Sequence, residues 1–219
     1  RRVRPLKHPL KWSQEFRKCK IDILHARFGT AGMEMLKTKL KTGLPMITSF
    51  HGHDNPRNEK NRKRYRHLKK LFEHGEMFTV TNEQMKDILI DYGCPERKIH
   101  IQHSGIDLSK FPYKERKLAE NEPIKILFVG RLVEKKGAKF LVKAFKKVLE
   151  EFPHAQLTMV GDGDQRRKVQ KQVDRLKLNK SILMIKQCNH QEVIRRMQDT
   201  HLFCLPSVTG KNKDQEGIP

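Results

Sequence analysis

The sequence predicts an α/β protein made of two Rossmann-like, doubly wound parallel-sheet domains, and three observations carry that prediction. Short apolar runs alternate with helical patterns along the whole chain, which favours parallel strands joined by crossover helices. The alternation breaks at residues 112–123, a charged stretch with Pro112 and Pro123 and no periodicity. The domain boundary falls there, giving domains of 1–115 and 116–219. Four loops, 51–54, 103–107, 130–137 and 161–164, follow strand carboxyl ends and combine glycine with polar residues. Open α/β sheets place their ligands at such ends, so the two domains are expected to face one cleft.

In the first domain, residues 1–20 are basic, with Trp12 and Phe16 at helical spacing. Ile21–His25 reads as a strand and Ala26–Thr30 as a loop. Ala31–Lys41 is helical and ends at Gly43 and Pro45. Met46–Phe50 is a strand that runs into His51-Gly52-His53-Asp54. Residues 60–75 form a strongly basic helix with Tyr65, Leu68 and Phe72 as its apolar stripe. Met77–Val80 is a strand. Thr81 with Gln84 resembles a capping box for a helix that ends at Gly93, and Ile99–Gln102 leads into a turn at His103–Asp107.

In the second domain, Ile124–Val129 is a nearly continuous apolar run, which suits a strand buried on both faces. It stops at Gly130-Arg131, and Lys136-Gly137 opens a helix over 138–151 with Phe140, Leu141, Ala144, Phe145 and Val148 as its apolar positions. Leu157–Val160 is a strand ending in Gly161-Asp162-Gly163, and Asp164 can cap a polar helix reaching 176. Ile182–Ile185 is a strand, Asn189 with Glu192 opens the next helix, and Leu202–Leu205 is the last strand.

Composition narrows the partners. Lys and Arg number 47 against 25 Asp and Glu, a net charge of +22, which favours anionic ligands: nucleic acid, an acidic membrane face or a phosphorylated substrate. Only 7% of residues are aromatic, few for a surface that stacks bases, so specific nucleic-acid binding is disfavoured. Four scattered cysteines, Cys19, Cys94, Cys188 and Cys204, lack zinc-ligand spacing and fit a reducing, cytoplasmic location. No run of 18 apolar residues is present. The chain begins with Arg1 and stops within the loop-like stretch ending at Pro219, so both domains are expected to be incomplete.

Among candidate groups, Gly130, Arg131 and Lys136 converge where a buried strand meets a helix start. This suits an anion, since helix N–H groups and two cations meet at one place. It is equally compatible with an ordinary turn carrying solvated charges. His51 and His53 with Asp54 can serve as a general base and its orienting carboxylate, or His51 can be a packed, hydrogen-bonded histidine. Their close spacing in a turn fits a metal poorly. Gly161, Asp162 and Gly163 read as a tight turn beside a ligand or as a plain β-to-α turn. Glu216, taken alone, reads as a surface carboxylate. No serine elbow, dinucleotide fingerprint or Walker loop is present.

Taken together, Phe128–Gly137, Val160–Gly163, Leu205-Pro206-Ser207 and Glu216–Pro219 resemble the donor domain of retaining glycosyltransferases of family 4, with the GT-B fold. His25–Gly29, Phe50–Asp54, Gly93-Cys94-Pro95 and Gly105-Ile106-Asp107 resemble the acceptor half of the exopolysaccharide and colanic-acid branch of that family. The resemblance implies a nucleotide-sugar donor whose diphosphate meets Arg131 and Lys136 beside Gly130, with Gly161, Asp162 and Gly163 lining the donor pocket. It places Glu216 on the hydroxyls of the transferred sugar and His51 toward donor sugar and acceptor. His25, His53 and Asp54 fall on the acceptor side. The implied chemistry is glycosyl transfer with retention, without a metal or other cofactor, to a saccharide or polyprenyl-linked acceptor. The basic helix is expected to touch an anionic membrane face peripherally.

The family's second glutamate and its amino-terminal glycine-rich loop have no counterpart in the sequence, so the isolated chain is expected to be inactive. Arg27 stands where relatives often carry histidine, and Ala138-Lys139 departs from the usual residues after Lys136-Gly137. Two alternatives stand beside this reading: a GT-B relative with an epimerase or noncatalytic role, and a basic nucleic-acid-binding module.

Overall fold

The computed structural model describes residues 15–16, 18–57, 61, 64–120, 122–211, 214 and 216–217, with His53 described by its backbone alone. Trp12, three cations of the expected basic helix (Lys60, Arg62 and Lys63), Ile218 and Pro219 lie outside the described residues. The chain divides into two units. One runs to Ser104 and regains a short segment after Lys211; the other is Gly105–Lys211.

The first unit holds a four-stranded parallel sheet in sequential order: β1 (Leu24–Arg27), β2 (Met46–Phe50), β3 (Met77–Val80) and β4 (Ile99–Ile101). Its helices are α1 (Gly29–Thr42), α2 (Leu68–His74) and α3 (Glu83–Asp91). Residues alternate across the sheet, so Leu24, Ala26, Met46, Phe50, Phe78, Val80 and Ile99 share one face and form the core with Leu68, Leu71, Phe72, Met85 and Leu89. Phe72 stands edge-on to Phe78 with centroids 5.1 Å apart, and each such buried ring contributes roughly 1.5–3 kcal/mol.

Three expectations shift here. β1 begins three residues later than expected, because Ile21 and Ile23 face solvent while Leu24 and Ala26 enter the core. Among the described residues of the expected basic helix, Asn61 and Leu68–His74 are α-helical and residues 64–67 form turns. The cap of α3 is Asn82, not Thr81: Met85 N–H donates to Asn82 Oδ1 at 2.9 Å. Gly43 closes α1 in the left-handed conformation (φ 70°), as its sequence position foretells.

The second unit holds β5 (Lys125–Val129), β6 (Gln156–Val160), β7 (Ile182–Ile185) and β8 (Leu202–Phe203), all parallel and ordered β7-β6-β5-β8. The helices are α4 (Ala138–Glu151), α5 (Arg166–Arg175) and α6 (His190–Gln198). α4 spans the expected residues, but its buried face is Ala138, Leu141, Val142 and Phe145, while Phe140 is exposed. α5 opens without a side-chain cap, since Asp164 accepts from the Gln165 amide instead. Asn189 caps α6 as expected, with Glu192 N–H donating to its Oδ1 at 2.8 Å.

The segment 105–120 packs on this unit. Phe111 meets the His190 ring edge-on at 5.5 Å, and Arg116 donates to the carbonyls of Met197 and Thr200 at the end of α6. The expected class, α/β with two parallel sheets, is therefore the class found.

Candidate functional site

In the second unit the strand order reverses between β5 and β8: β6 and β7 extend to one side of β5, and β8 pairs on the other. Such a switch point opens a crevice at the strand carboxyl ends, where α/β sheets bind ligands. Gly130, Arg131 and Lys136 follow β5 at this position, and Leu205-Pro206-Ser207 follow β8.

The backbone there is tightly fitted. Gly137 has φ 67°, and a Cβ on it would stand 1.8 Å from the Pro206 carbonyl oxygen. Gly161 has φ 148°, and its Cβ would stand 1.9 Å from the Gly130 oxygen. Both positions thus exclude any side chain on grounds of conformation and of space. Val208 N–H donates to the Lys135 carbonyl at 2.8 Å, which ties the segment after β8 to the turn before α4.

Gly130 itself is less constrained than the sequence implies. The nearest atoms to a Cβ there would be those of Leu205 and the Lys136 stem, at 3.6–3.7 Å. What that geometry does show is the Lys136 side chain lying across Gly130. Arg131 is exposed, and no hydrogen bond or ion pair to another described residue is found for its guanidinium. The loop after β6 adds acceptors and a carboxylate. Asp162 Oδ1 accepts from Gly163 N–H at 2.8 Å, and the Asp162 carbonyl accepts from Leu132 N–H. The structure thus brings Gly130, Lys136, Gly161, Asp162 and Gly163 to one sheet edge.

Arg166 was not anticipated from the sequence. Its guanidinium donates to the carbonyls of Gly161 (2.7 Å), Ile185 (3.1 Å) and Met184 (3.3 Å), locking the ends of β6 and β7.

In the first unit, β2 delivers His51 to its carboxyl end, followed by a 3₁₀ turn, Gly52–Asp54. Phe28 stands edge-on to the His51 ring at 5.3 Å. Phe28 holds φ 99° at the entrance to α1, a conformation costly for a bulky side chain and typical of constrained sites. His51 Nε2 is buried and has no hydrogen-bond partner among the described residues.

The Asp54 carboxylate does not bond the His51 ring. It is only 2% exposed, and its oxygens are used by Gly29 N–H (3.2 Å), Tyr65 O–H (2.5 Å) and His51 N–H (2.9 Å). Its role is to fasten the backbone under His51 rather than to touch an acceptor. Burial, reinforced by the bond to Asp54, pushes the Tyr65 hydroxyl far above the usual tyrosine range, so it remains a donor.

His25 is exposed and bonded through Nε2 to Ser49 Oγ at 2.7 Å, and Ser49 Oγ lies 2.7 Å from Thr79 Oγ1. The three residues form a polar row across β1, β2 and β3. Of His53 only the backbone, within the 3₁₀ turn, is described.

Glu216 and Gly217 pack within this unit. The Asn82 amide donates to the Gly217 carbonyl at 3.0 Å, and Gly217 N lies 3.2 Å from where a Gly52 Cβ would stand. The residues next to Glu216 and next to His51 are therefore in contact. Among the described residues, no group of three His, Cys, Asp or Glu side chains is placed to hold a metal ion. Nor is any described helix long and apolar enough to cross a membrane.

Compared with known proteins, residues 109–219 match the model of glycosyl transferases group 1, and residues 1–110 match that of glycosyltransferase family 4. The chain belongs to these glycosyltransferases. It is 29% identical over 201 residues to the amylovoran biosynthesis glycosyltransferase AmsK of Erwinia amylovora, covering 90% of this chain and 49% of that protein. Identity and coverage are the same for the putative colanic acid biosynthesis glycosyltransferase WcaL of Escherichia coli strain K12. The chain spans about half the length of the curated relatives it matches.

Among solved structures, Anabaena Alr3699/HepE in complex with UDP superposes with a TM-score of 0.78 at 15% identity, covering 92% of this chain and 57% of that one. A glycosyltransferase from Rickettsia africae ESF-5 gives 0.71 at 22% identity, covering 94% and 57%. These likenesses establish the glycosyltransferase fold. Asn82, Tyr65 and Arg166 support the edges described above, each within its own unit. None of the three has a local sequence signature beyond helix cap, apolar stripe or surface residue, because each acts on a partner distant in sequence.

Proposed function

We propose that the protein carrying this chain transfers a hexosyl group from a nucleotide-sugar donor to a saccharide or lipid-linked acceptor, with retention and without a metal, in surface or exopolysaccharide biosynthesis. The observation that carries the reading is the switch point of a family-4 glycosyltransferase. There the loop after β5 is fixed by β8 through Gly137 and Pro206, and presents Lys136 across Gly130 with Arg131 beside it. Two cations at this edge suit a nucleoside diphosphate. They neutralise charge as the glycosidic bond to the leaving phosphate breaks, the task a preorganised electrostatic site performs. Gly161, Asp162 and Gly163 line the same edge and contact the donor.

Glu216 holds hydroxyls of the transferred sugar. His51, whose Nε2 is buried and unpaired among the described residues, faces the reacting sugar, and His25 and His53 lie toward the acceptor. AmsK and WcaL are named for two exopolysaccharides, and HepE has been solved with UDP-glucose. These support the polysaccharide pathway and a uridine nucleotide as the first donor to try.

The exposed cations Arg64, Arg66, Lys69 and Lys70 of and before α2 suit peripheral contact with the inner face of a membrane, each near-surface cation contributing about 1 kcal/mol. Flotation with liposomes of rising anionic lipid content tests that part, and flotation indifferent to lipid charge refutes it. The transfer reaction is tested by incubating the full-length protein with radiolabelled nucleotide sugars and analysing products. Replacing both Arg131 and Lys136 with alanine is expected to cut turnover by at least about a hundredfold, since about 1.4 kcal/mol is already tenfold. Unaltered donor binding and turnover would overturn the reading, and epimerised nucleotide sugar as sole product would replace it with the epimerase alternative.

A further inference from the structure

We propose that Asn82 is a positioning residue for Glu216; the inference rests on the reading above, in which Glu216 holds the donor sugar. The side chain has two partners of opposite kind. Its Oδ1 accepts from Met85 N–H at 2.9 Å and caps α3, and its Nδ2 donates to the carbonyl of Gly217, 135 residues further along, at 3.0 Å. A backbone N–H can only donate and a carbonyl can only accept, so the two bonds fix which end of the amide is which. The helix holds the amide, and the amide holds the segment next to Glu216.

Packing completes the dock. Gly217 N lies 3.2 Å, and its Cα 3.6 Å, from where a Gly52 Cβ would stand, and a Cβ on Gly217 would lie 3.3 Å from Thr81 Oγ1. Gly217 is thus seated between the turn that follows His51 and the residues that open α3. A capping role alone does not require asparagine, because aspartate, serine or threonine caps comparably. An ionised aspartate, however, has no hydrogen to offer the Gly217 carbonyl.

That difference supplies the test, made in the full-length protein. Asn82→Asp keeps the cap and loses the donor, whereas Asn82→Ala loses both. If Asn82 positions Glu216, Asn82→Asp melts at the wild-type temperature, exchanges the amide hydrogens around Glu216 and Gly217 faster, and loses about tenfold or more in kcat with little change in donor KM. Asn82→Ala shows the same kinetic loss and a lower melting temperature. If Asn82→Asp turns over at the wild-type rate, the proposal is overturned, whatever its exchange. Unchanged exchange around Gly217 overturns it independently of any activity. A wild-type protein that transfers no sugar, while Asn82→Asp still loosens Gly217, would refute the function assigned to Glu216 and leave the tether established.

Discussion

Replacing Asp54 with asparagine should unfasten the loop under His51, and the cost can be worked from its three bonds. Asp54 Oδ1 accepts from Gly29 N–H and Tyr65 O–H, and Oδ2 accepts from His51 N–H. An amide supplies one oxygen and one NH₂ group. In one orientation the NH₂ faces the His51 N–H; in the other it faces Gly29 and Tyr65. Either way at least one buried donor loses its acceptor and meets another donor.

Losing a hydrogen bond to a charged group costs about 1.5–3 kcal/mol, and leaving a buried donor unmet adds about 1–3. The expected destabilisation of Asp54→Asn is therefore about 2.5–6 kcal/mol, a large share of the roughly 5–15 kcal/mol that holds a typical domain together. Urea unfolding followed by circular dichroism measures it through the shift in midpoint. Tyr65→Phe removes one donor and should cost about 1.5–3 kcal/mol alone, and the double variant should fall well short of the sum, because the residues share a bond. A loss below about 1 kcal/mol for Asp54→Asn, or strict additivity with Tyr65→Phe, would refute the account.

Other expectations follow from single side chains. Lys98 Nζ donates to the carbonyls of Phe72, Glu73 and Gly75 at the end of α2. Lys98→Met should lower stability by about 2 kcal/mol in the same urea assay, and an unchanged midpoint would show those bonds contribute nothing. Burial pushes the Cys94 thiol up to about 12, whereas Cys19 is exposed. Alkylation of the native protein near pH 8, read by mass spectrometry, should mark Cys19 and spare Cys94; equal labelling would contradict this.

Burial favours the neutral form of Glu76, but the Lys39 ammonium and Met46 N–H outweigh it and hold the carboxyl below its ordinary 4.5. A depressed carboxylate contributes stability that is present above the unfolded-state value and lost as pH falls through the folded one. The gap between wild type and Glu76→Gln should thus be steady near neutrality, at about 1 kcal/mol or less because the carboxylate is exposed and screened by solvent. It should narrow below pH 4.5, and a gap that widens in acid would refute the assignment.

The legible parts of the molecule were those whose physics is local. β2, β3, β5 and β7 show as apolar runs of the right length, and α4 as a periodic stripe. Gly137 and Gly161 mark themselves because only glycine suits a crowded turn. β1 was misplaced because Ile21 and Ile23 are as apolar as Leu24 and Ala26, and pairing with β2, not hydropathy, decides which of them are buried. Thr81 and Asn82 are adjacent and both able to cap, and only the path of the chain out of β3 chooses between them.

In the candidate site, the residues on the glycine loops could be named, but their supports could not. Asp54 reads as a partner for an imidazole until Gly29 and Tyr65 are seen to occupy it. Nothing near Asn82 announces Gly217, and nothing near Arg166 announces the carbonyls it joins. Such pairings depend on closure of the fold over long stretches of chain.

The order β7-β6-β5-β8 also bears on how the protein comes into being. During synthesis β5, β6 and β7 can zip together with α4 and α5 as they emerge, while the far side of β5 waits for β8. The turn carrying Lys136 has no Pro206 to rest against until that strand arrives. A nascent chain halted near residue 200 would thus own a three-stranded core while the turn before α4 is still unbraced, so closure of this sheet edge is among the last features this unit acquires.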